Sequence, residues 1–172
     1  MDSLKKLFLF IVVVVMPNSQ VAAAEENLVN FRIVCAEQKA ECFKATVRDT
    51  KEDVYVENKP VLNLLDIDSA QVVKYELTED QLKPIIAQGY KEEDYKIQYQ
   101  ISLKFRNSNI LKEVTSENVK KRMAIFINNE LVMAATIFEP IESDSMNISD
   151  GHFTAQSVQD LSDQINKAIA LR

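Results

Sequence analysis

The segment at residues 123–137 constrains the fold most, because it predicts two apolar strands joined by a tight turn. Asn128 and Asn129 separate the strands, and Asn tolerates a positive φ, so the pair suits both central positions of a type I′ turn. That turn pairs Phe126 with Leu131 and Ile125 with Val132. One face then carries Ile125 and Val132, and the other carries Phe126, Leu131, Met133, Ala135 and Ile137. With two apolar faces, the hairpin over residues 124–137 is predicted to be central in a sheet and covered on both sides.

Residues 1–24 have the pattern of a cleaved secretory signal peptide. Lys5 and Lys6 precede a ten-residue apolar run at residues 7–16, and Ala22 and Ala24 fit cleavage before residue 25. A membrane anchor is disfavoured, because a spanning helix needs about 20 apolar residues. We therefore expect residues 25–172 to form a single exported domain that is periplasmic or secreted and has no integral membrane segment after cleavage.

The net charge argues against two classes of partner. The 172-residue chain carries a formal charge of −6. Residues 1–24 hold two lysines and one aspartate, so the exported part has 18 basic and 25 acidic residues and a charge of −7. Nucleic acids and anionic membranes repel such a surface, so neither is an expected partner.

The two cysteines, Cys35 and Cys42, are close together in the exported part of the chain. An even pair in an exported protein indicates a disulfide. The alternatives are a redox pair and a metal site. The spacing differs from the C-x-x-C of redox catalysts, and the single histidine, His152, is far away in sequence, so a structural disulfide is the favoured interpretation.

The hydrophobic periodicity predicts an α+β fold, with a mostly antiparallel sheet packed by helices. Thr78 and Gln81 have capping-box spacing, which predicts a helix to about Ala87. Thr154 is expected to cap a C-terminal helix over about 154–171, with an apolar stripe of Val158, Leu161, Ile165, Ala168 and Ile169. The other predictions are strands at 29–34, 54–56, 61–65, 72–77, 96–105 and 146–149, a helical turn at 66–70 capped by Asp66, a helix within 107–123 interrupted near 115–118, and a turn at Asp150, Gly151 and His152.

Three blocks of sequence occur in an order that resembles a known family. The first reads Val54-Tyr-Val-Glu-Asn-Lys-Pro-Val-Leu62 and continues with Leu65-Asp-Ile67 and Ala70. The second contains Thr115-x-x-Asn118-Val, the hairpin and Glu139-Pro-Ile141, and the third is Ile148-Ser-Asp-Gly-His-Phe-Thr154. Together they resemble the head subdomain of the first periplasmic domain of the SecD/SecDF protein-export proteins, across roughly residues 29–166.

The chain departs from the pattern of this family at several points. Asn128-Asn129 stands at the usual Asp-Gly turn, Ala134-Ala135 stands at an Ala-Pro, and His152 adds a residue to a Gly-Phe-Thr block. The chain also lacks the six transmembrane helices with which SecD/SecDF proteins use the proton gradient to help pull preproteins across the membrane. The resemblance therefore implies a stand-alone head that meets an emerging polypeptide, or the fold alone reused for another role.

Residues with catalytic or binding chemistry are few. His152 is a candidate general base, although a lone loop histidine without a nucleophile is more often an exposed polar residue. Tyr90 and Tyr95 flank a charged run and suggest either a recognition surface or, more simply, an exposed polar loop. The loop acids are candidate cation ligands, for which a solvated loop is the favoured alternative: Glu139, Glu142 and Asp144.

The sequence predicts a non-enzymatic binding module accessory to protein export, with no cofactor, no metal and no catalytic residue. Its expected partner is unfolded polypeptide or an envelope or translocon protein, bound by strand addition or in an apolar groove between sheet and helix. The alternative is a structural or regulatory envelope protein that docks on an unrelated partner. A hydrolase ranks last, because the chain has one histidine and no catalytic motif.

Overall fold

The computed structural model describes residues 28–149 and 151–172. The predicted signal peptide at residues 1–24 therefore lies outside the described residues. Within the described ranges, no helix is long and apolar enough to cross a membrane.

Nine strands form three antiparallel sheets in the described part of the chain. The strands are β1 (Val29–Ile33), β2 (Cys42–Thr46), β3 (Asp53–Glu57), β4 (Leu62–Asn63), β5 (Ile67–Glu76), β6 (Ile97–Phe105), β7 (Arg122–Ile127), β8 (Glu130–Thr136) and β9 (Ser145–Ser149). A four-stranded sheet has the order β4-β1-β7-β8, a second sheet pairs β2 with β3, and a third has the order β5-β6-β9. The strands predicted at residues 29–34, 54–56, 96–105 and 146–149 agree with the structure within one or two residues at each end.

The helices are α1 (Glu79–Ala87), α2 (Glu92–Tyr95), α3 (Ile110–Glu117) and α4 (Ala155–Ala170), and a 3-10 turn spans Leu64–Asp66. Together with the antiparallel sheets, they confirm the predicted α+β class. Both predicted helix caps are also present, because Thr78 forms a capping box with Gln81 and Thr154 forms one with Ser157. These local signals work because side chains satisfy the first free amides of a helix.

The hairpin of β7 and β8 turns at Asn128 and Asn129, whose φ angles are 51° and 64°. Both values are positive, as a type I′ turn requires. Phe126 pairs with Leu131 as predicted, but Ile125 pairs with Met133 rather than Val132. A β-bulge at this point inserts one extra residue into β8 and moves the following side chains to the opposite face.

Because of the bulge, the predicted assignment of side chains to the two faces of the hairpin has to be corrected. Val132 and Met133 both pack against the cluster that contains Ile125, whereas Ala134 packs against the cluster that contains Phe126. Ala135 is exposed, and Ile137 joins the Ile125 cluster. The hairpin was predicted to be central in its sheet. Only β7 is interior, and β8 is at the edge of the sheet.

Two other sequence predictions were wrong in detail, and one strand was missed. Residues 67–70 begin β5 instead of forming a helical turn, because Ile67 and Ala70 are buried and pair with β6. Asn63, not Asp66, caps the adjacent 3-10 turn. The helix predicted within 107–123, with a break near 115–118, spans Ile110–Glu117 and agrees with the prediction. Strand β2 was missed because its exposed side chains do not alternate regularly.

Two hydrophobic clusters cover opposite faces of the four-stranded sheet. The larger cluster joins this sheet to β5, β6 and β9 and to the buried stripe of α4, with Phe31, Leu103, Leu111 and Ile165 all fully buried. The smaller cluster lies beneath the β2–β3 hairpin and comprises Val47, Val54, Val56, Ala124, Phe126 and Leu131. Helix α4 is also fixed by polar contacts, since side chains of Ser162 and Asn166 bond the backbone of Ala70.

Replacing Phe31 with alanine should lower the free energy of unfolding by about 3–5 kcal/mol, because the ring is fully buried and leaves a cavity beside Phe105. Urea denaturation of the purified protein measures this change. The matched control is Phe138→Ala, since Phe138 is 85% exposed and its removal should change stability by less than about 0.5 kcal/mol. Equal losses in the two variants would contradict the assignment of the core.

Candidate functional site

A disulfide-closed loop connects β1 to β2. Cys35 and Cys42 are bonded, and their Cα atoms are 6.7 Å apart. The Cys35 N–H donates to Tyr55 O over 2.8 Å, and Cys42 pairs with Glu57 in the β2–β3 ladder. Both ends of the loop are therefore attached to the same hairpin. Among the described residues, no group of three or more His, Cys, Asp or Glu side chains could hold a metal ion.

An open groove of about 1000 Å³, the cystine groove, lies beside the disulfide. Three loops form its sides: residues 35–42, residues 57–59 and residues 120–122. Val34, Ala36 and Ala40 add apolar surface to the groove, whereas the side chain of Ile33 is buried in the core. The volume lies at the upper end of the range typical of ligand pockets. Because loops bound it, this is not the groove between sheet and helix that the sequence had suggested.

Hydrogen bonds hold the first two sides of the cystine groove together. The Asn58 N–H donates to Glu41 O over 2.7 Å, which joins loop 57–59 to loop 35–42. The Arg32 guanidinium donates to the carbonyl oxygens of Glu57 and Asn58. It also lies 5.4 Å from the centre of the Phe43 ring, so cation–π attraction adds to the hydrogen bonds.

The third side is held by the adjoining chain after β8. Lys120 has a φ of 69°, and its N–H donates to Ile137 O over 2.8 Å. The Ile137 N–H donates back to Lys121 O over 2.9 Å. The Lys121 ammonium donates to Asn118 Oδ1 over 2.9 Å. The backbone of this loop is thus fixed before any ligand binds.

Within residues 28–149 and 151–172, Arg122 is the one basic residue of the groove that has a carboxylate partner. Its two terminal nitrogens lie 2.5 and 2.8 Å from the carboxylate oxygens of Glu52, and it also donates to Ala134 O. These hydrogen bonds lower the pKa of Glu52 and raise the pKa of Arg122. Because the pKa of Glu52 is lowered in the folded state, the pair is intact at neutral pH and is lost as the pH falls below the ordinary range of a glutamate.

Among the described residues, His152 is hydrogen-bonded to Asp49. Its Nε2 lies 2.9 Å from Asp49 Oδ1, and Arg48 Nε donates to the same oxygen. Burial opposes ionisation of Asp49, but the hydrogen bonds from Arg48 and His152 hold its pKa below the usual value. The nearby Ser157 hydroxyl is engaged with Thr154 in the capping box of α4. This arrangement ties the turn before α4 to the β2–β3 hairpin.

The acidic loop does not converge on a cation site. Glu142 lies 2.8 Å from Lys112, and this hydrogen bond lowers the pKa of Glu142. The main-chain oxygen of Asp144 accepts a bond from the Phe105 N–H. Of the acidic residues predicted as cation ligands, Glu142 is therefore engaged with a lysine. Glu139 is part of no metal-binding group among the described residues.

The two tyrosines are brought together. Helix α2 places Tyr95 against Tyr90, with the ring centres 5.1 Å apart. Tyr90 is half exposed, and the neighbouring Ile86 and Ile97 are also exposed. This apolar surface lies at one end of the β5-β6-β9 sheet. The cystine groove is concave and combines apolar with charged residues, so it is the better candidate site.

The sequence prediction missed the lysines of the cystine groove. Lys39, Lys59, Lys120 and Lys121 come from three separate loops, so their spacing in sequence does not reveal that they line one groove. One signal was available: residues 120–122 are the longest basic run in an acidic chain. The scaffold residues are placed as turns, with Asn128 and Asn129 joining β7 to β8 and Gly151 in the turn before α4.

The double variant Cys35→Ser/Cys42→Ser should lose about 2–3 kcal/mol of unfolding free energy, because an eight-residue loop is freed in the unfolded chain. Denaturation with and without a reductant measures the loss. The reductant should destabilise the wild-type protein by the same amount and leave the double variant unchanged. A wild-type protein that is insensitive to the reductant would show that the bond contributes nothing to stability.

Comparison with known proteins supports the resemblance. The family model described as "SecDF, P1 head subdomain" matches residues 63–170. Two similar solved structures are described as "Structure and function of a membrane component SecDF that enhances protein export" and "Crystal structure of SecDF in Super-membrane-facing form". Their identities to this chain are 17% and 20%, and the TM-scores are 0.53 and 0.51. No curated protein sequence matches the chain.

The extent of each match limits what is shared. Both structural matches cover 87% of this chain, but they cover only 65% and 19% of the matched SecDF chains. At these identities the structures establish a common fold. The family match begins at residue 63, so the part of the resemblance at residues 54–62 lies outside it. Since the match spans well over half of the 172 residues, the chain belongs to the SecDF P1 head subdomain family.

Proposed function

We propose that this protein is a non-enzymatic module of the cell envelope that binds extended or unfolded polypeptide and assists protein export. Its family supports the link to export, because a matched relative is described as a membrane component that enhances protein export. This chain spans less than two thirds of either matched SecDF chain, so the export activity is assigned to it as a proposal.

The cystine groove is the observation that carries the binding role. It is open, it has an apolar floor formed by Val34, Ala36 and Ala40, and it lies at one end of β2. Among the described residues β2 pairs only with β3, so its outer edge is unpaired. An extended polypeptide could add to this edge by backbone hydrogen bonds and place its next side chains in the groove.

The proposed location is the periplasm or the exterior of the cell. A structural disulfide fits a compartment outside the reducing cytoplasm. Residues 1–24 would direct the export and be removed afterwards. The mass of the purified protein checks this step, since the cleaved chain begins at Glu25.

The binding role is tested with the protein expressed with its own N-terminal segment and purified from the envelope. Fluorescence anisotropy should show binding to reduced, unfolded secreted proteins and no binding to the same proteins when folded. Ala40→Trp, which fills the groove, should weaken binding about tenfold. The control Ala155→Trp adds the same side chain at an exposed position of α4 and should leave binding unchanged.

Absence of binding to any unfolded polypeptide would overturn the proposed function. The alternative role is docking on an unrelated envelope protein. Cross-linking in intact cells separates the two roles, because the proposed role requires cross-links to many exported chains and the alternative requires one repeated partner.

A further inference from the structure

We propose that the cystine groove binds acidic stretches of polypeptide, with its lysines pairing with several carboxylates along the bound segment. This inference rests on the proposed function and adds to it the chemical class of the ligand. It follows from the charges that line the groove, from the rigidity of its sides and from its shape.

The groove is locally basic on an acidic protein. Five basic side chains line it, namely Lys39, Lys59, Lys120, Lys121 and Arg122, against the two acidic side chains Glu41 and Glu57. The whole chain has a charge of −6. With Arg122 neutralised by Glu52, the groove retains four lysines against two glutamates, a local charge of +2.

The four groove lysines have no carboxylate partner in the described parts of the chain. Lys121 donates only to the neutral Asn118 side chain. Glu41 and Glu57 also form no ion pair there. Among the nine described lysines outside the groove, five have a carboxylate within 4 Å, namely Lys44, Lys83, Lys91, Lys96 and Lys112. The cationic groups of the groove therefore remain available to a ligand.

The lysines stand on sides that are fixed in advance. The disulfide closes the loop that carries Lys39, and the Asn58 N–H bond to Glu41 O anchors the loop that carries Lys59. The backbone bonds between Lys120, Lys121 and Ile137 hold the third side. Less conformational entropy is lost on binding when the partner groups are already held in place.

The shape of the groove selects a polypeptide over other anions. A groove of about 1000 Å³ is much larger than an inorganic anion, which would leave most of the apolar floor in contact with water. A flat anionic bilayer cannot reach the floor of a concave surface. A polypeptide segment with several carboxylates can contact lysines on three separate loops while its aliphatic atoms cover Val34, Ala36 and Ala40.

Screening by salt limits the effect of the acidic remainder of the protein on this attraction. At physiological ionic strength charges are screened beyond about 8 Å, so the groove lysines act on a bound segment with little opposition from distant carboxylates. The same screening makes the interaction sensitive to salt. Affinity for an acidic segment should therefore fall as salt is raised, and affinity for a neutral segment should not.

The test uses the purified full protein and three fluorescent peptides of equal length, with four Glu, four Gln or four Lys at the same positions. The Glu peptide should bind most tightly. Lys39→Gln/Lys59→Gln/Lys120→Gln/Lys121→Gln should weaken binding of the Glu peptide by about tenfold or more and leave the Gln peptide unchanged.

A matched control removes the same charge outside the groove. Lys51, Lys74, Lys104 and Lys167 are exposed, line no part of the groove and form no ion pair in the described residues. Lys51 also has a positive φ, 56°, which matches Lys120. The fourfold Lys→Gln variant at these positions should retain binding of the Glu peptide within about threefold.

Several results would overturn the inference. Equal affinity for the Glu and Gln peptides would exclude a preference for acidic segments. Equal losses of affinity in the two fourfold variants would show that the net charge of the protein, and not the groove, attracts the Glu peptide. Binding to phosphatidylglycerol vesicles without binding to the Glu peptide would assign the lysines to a membrane surface. In each case, continued binding of unfolded secreted proteins would leave the proposed function intact, whereas loss of all polypeptide binding would remove both.

Discussion

Strand β7 is buried on both faces, and the other layers of the structure are arranged to cover it. Ile125 contributes to the large cluster under α4, and Phe126, next in sequence, contributes to the small cluster under the β2–β3 hairpin. Full burial of such side chains contributes roughly 1.5–3 kcal/mol each. If one covering layer were absent, β7 would expose an apolar face to water. The β2–β3 hairpin, and with it the cystine loop, is therefore required by the fold as well as by the groove.

The sequence predicted best those features that depend on a few neighbouring residues. Thr78 with Gln81 and Thr154 mark helix starts, because each cap is completed within one turn of helix. The Asn128-Asn129 turn was predictable for the same reason, since it requires only two residues that tolerate a positive φ. The stripe of α4 was predictable from its periodicity alone.

Features that depend on distant partners were not predictable in the same way. The bulge in β8 depends on how Val132 and Met133 pack against the core, which no local pattern records. The strand at Ile67 was taken for a helical turn because its partner, Phe105, is far along the chain. The groove was hidden for the same reason, as its sides come from three separated loops. Only the basic run at residues 120–122 and the cysteine pair pointed to parts of it.

The family match covers most of the fold but only one side of the cystine groove. The match covers residues 63–170, which includes β5 to α4 and the loop at residues 120–122. Two sides of the groove, at residues 35–42 and 57–59, precede it. The site therefore combines a loop of the matched subdomain with a cystine hairpin outside the match. Its ligand chemistry has to be established on this chain and cannot be transferred from SecDF.

Because of the disulfide, the structure of the groove depends on the compartment in which the protein is located. When Cys35 and Cys42 are reduced, no covalent bond closes the loop that carries Lys39, so one side of the groove is not held in place. Thiols remain reduced in the cytoplasm and become oxidised outside it. For a chain exported as proposed, the binding surface is completed only after translocation. Before that step, the side of the groove that carries Lys39 would be held less firmly than the side at residues 120–122.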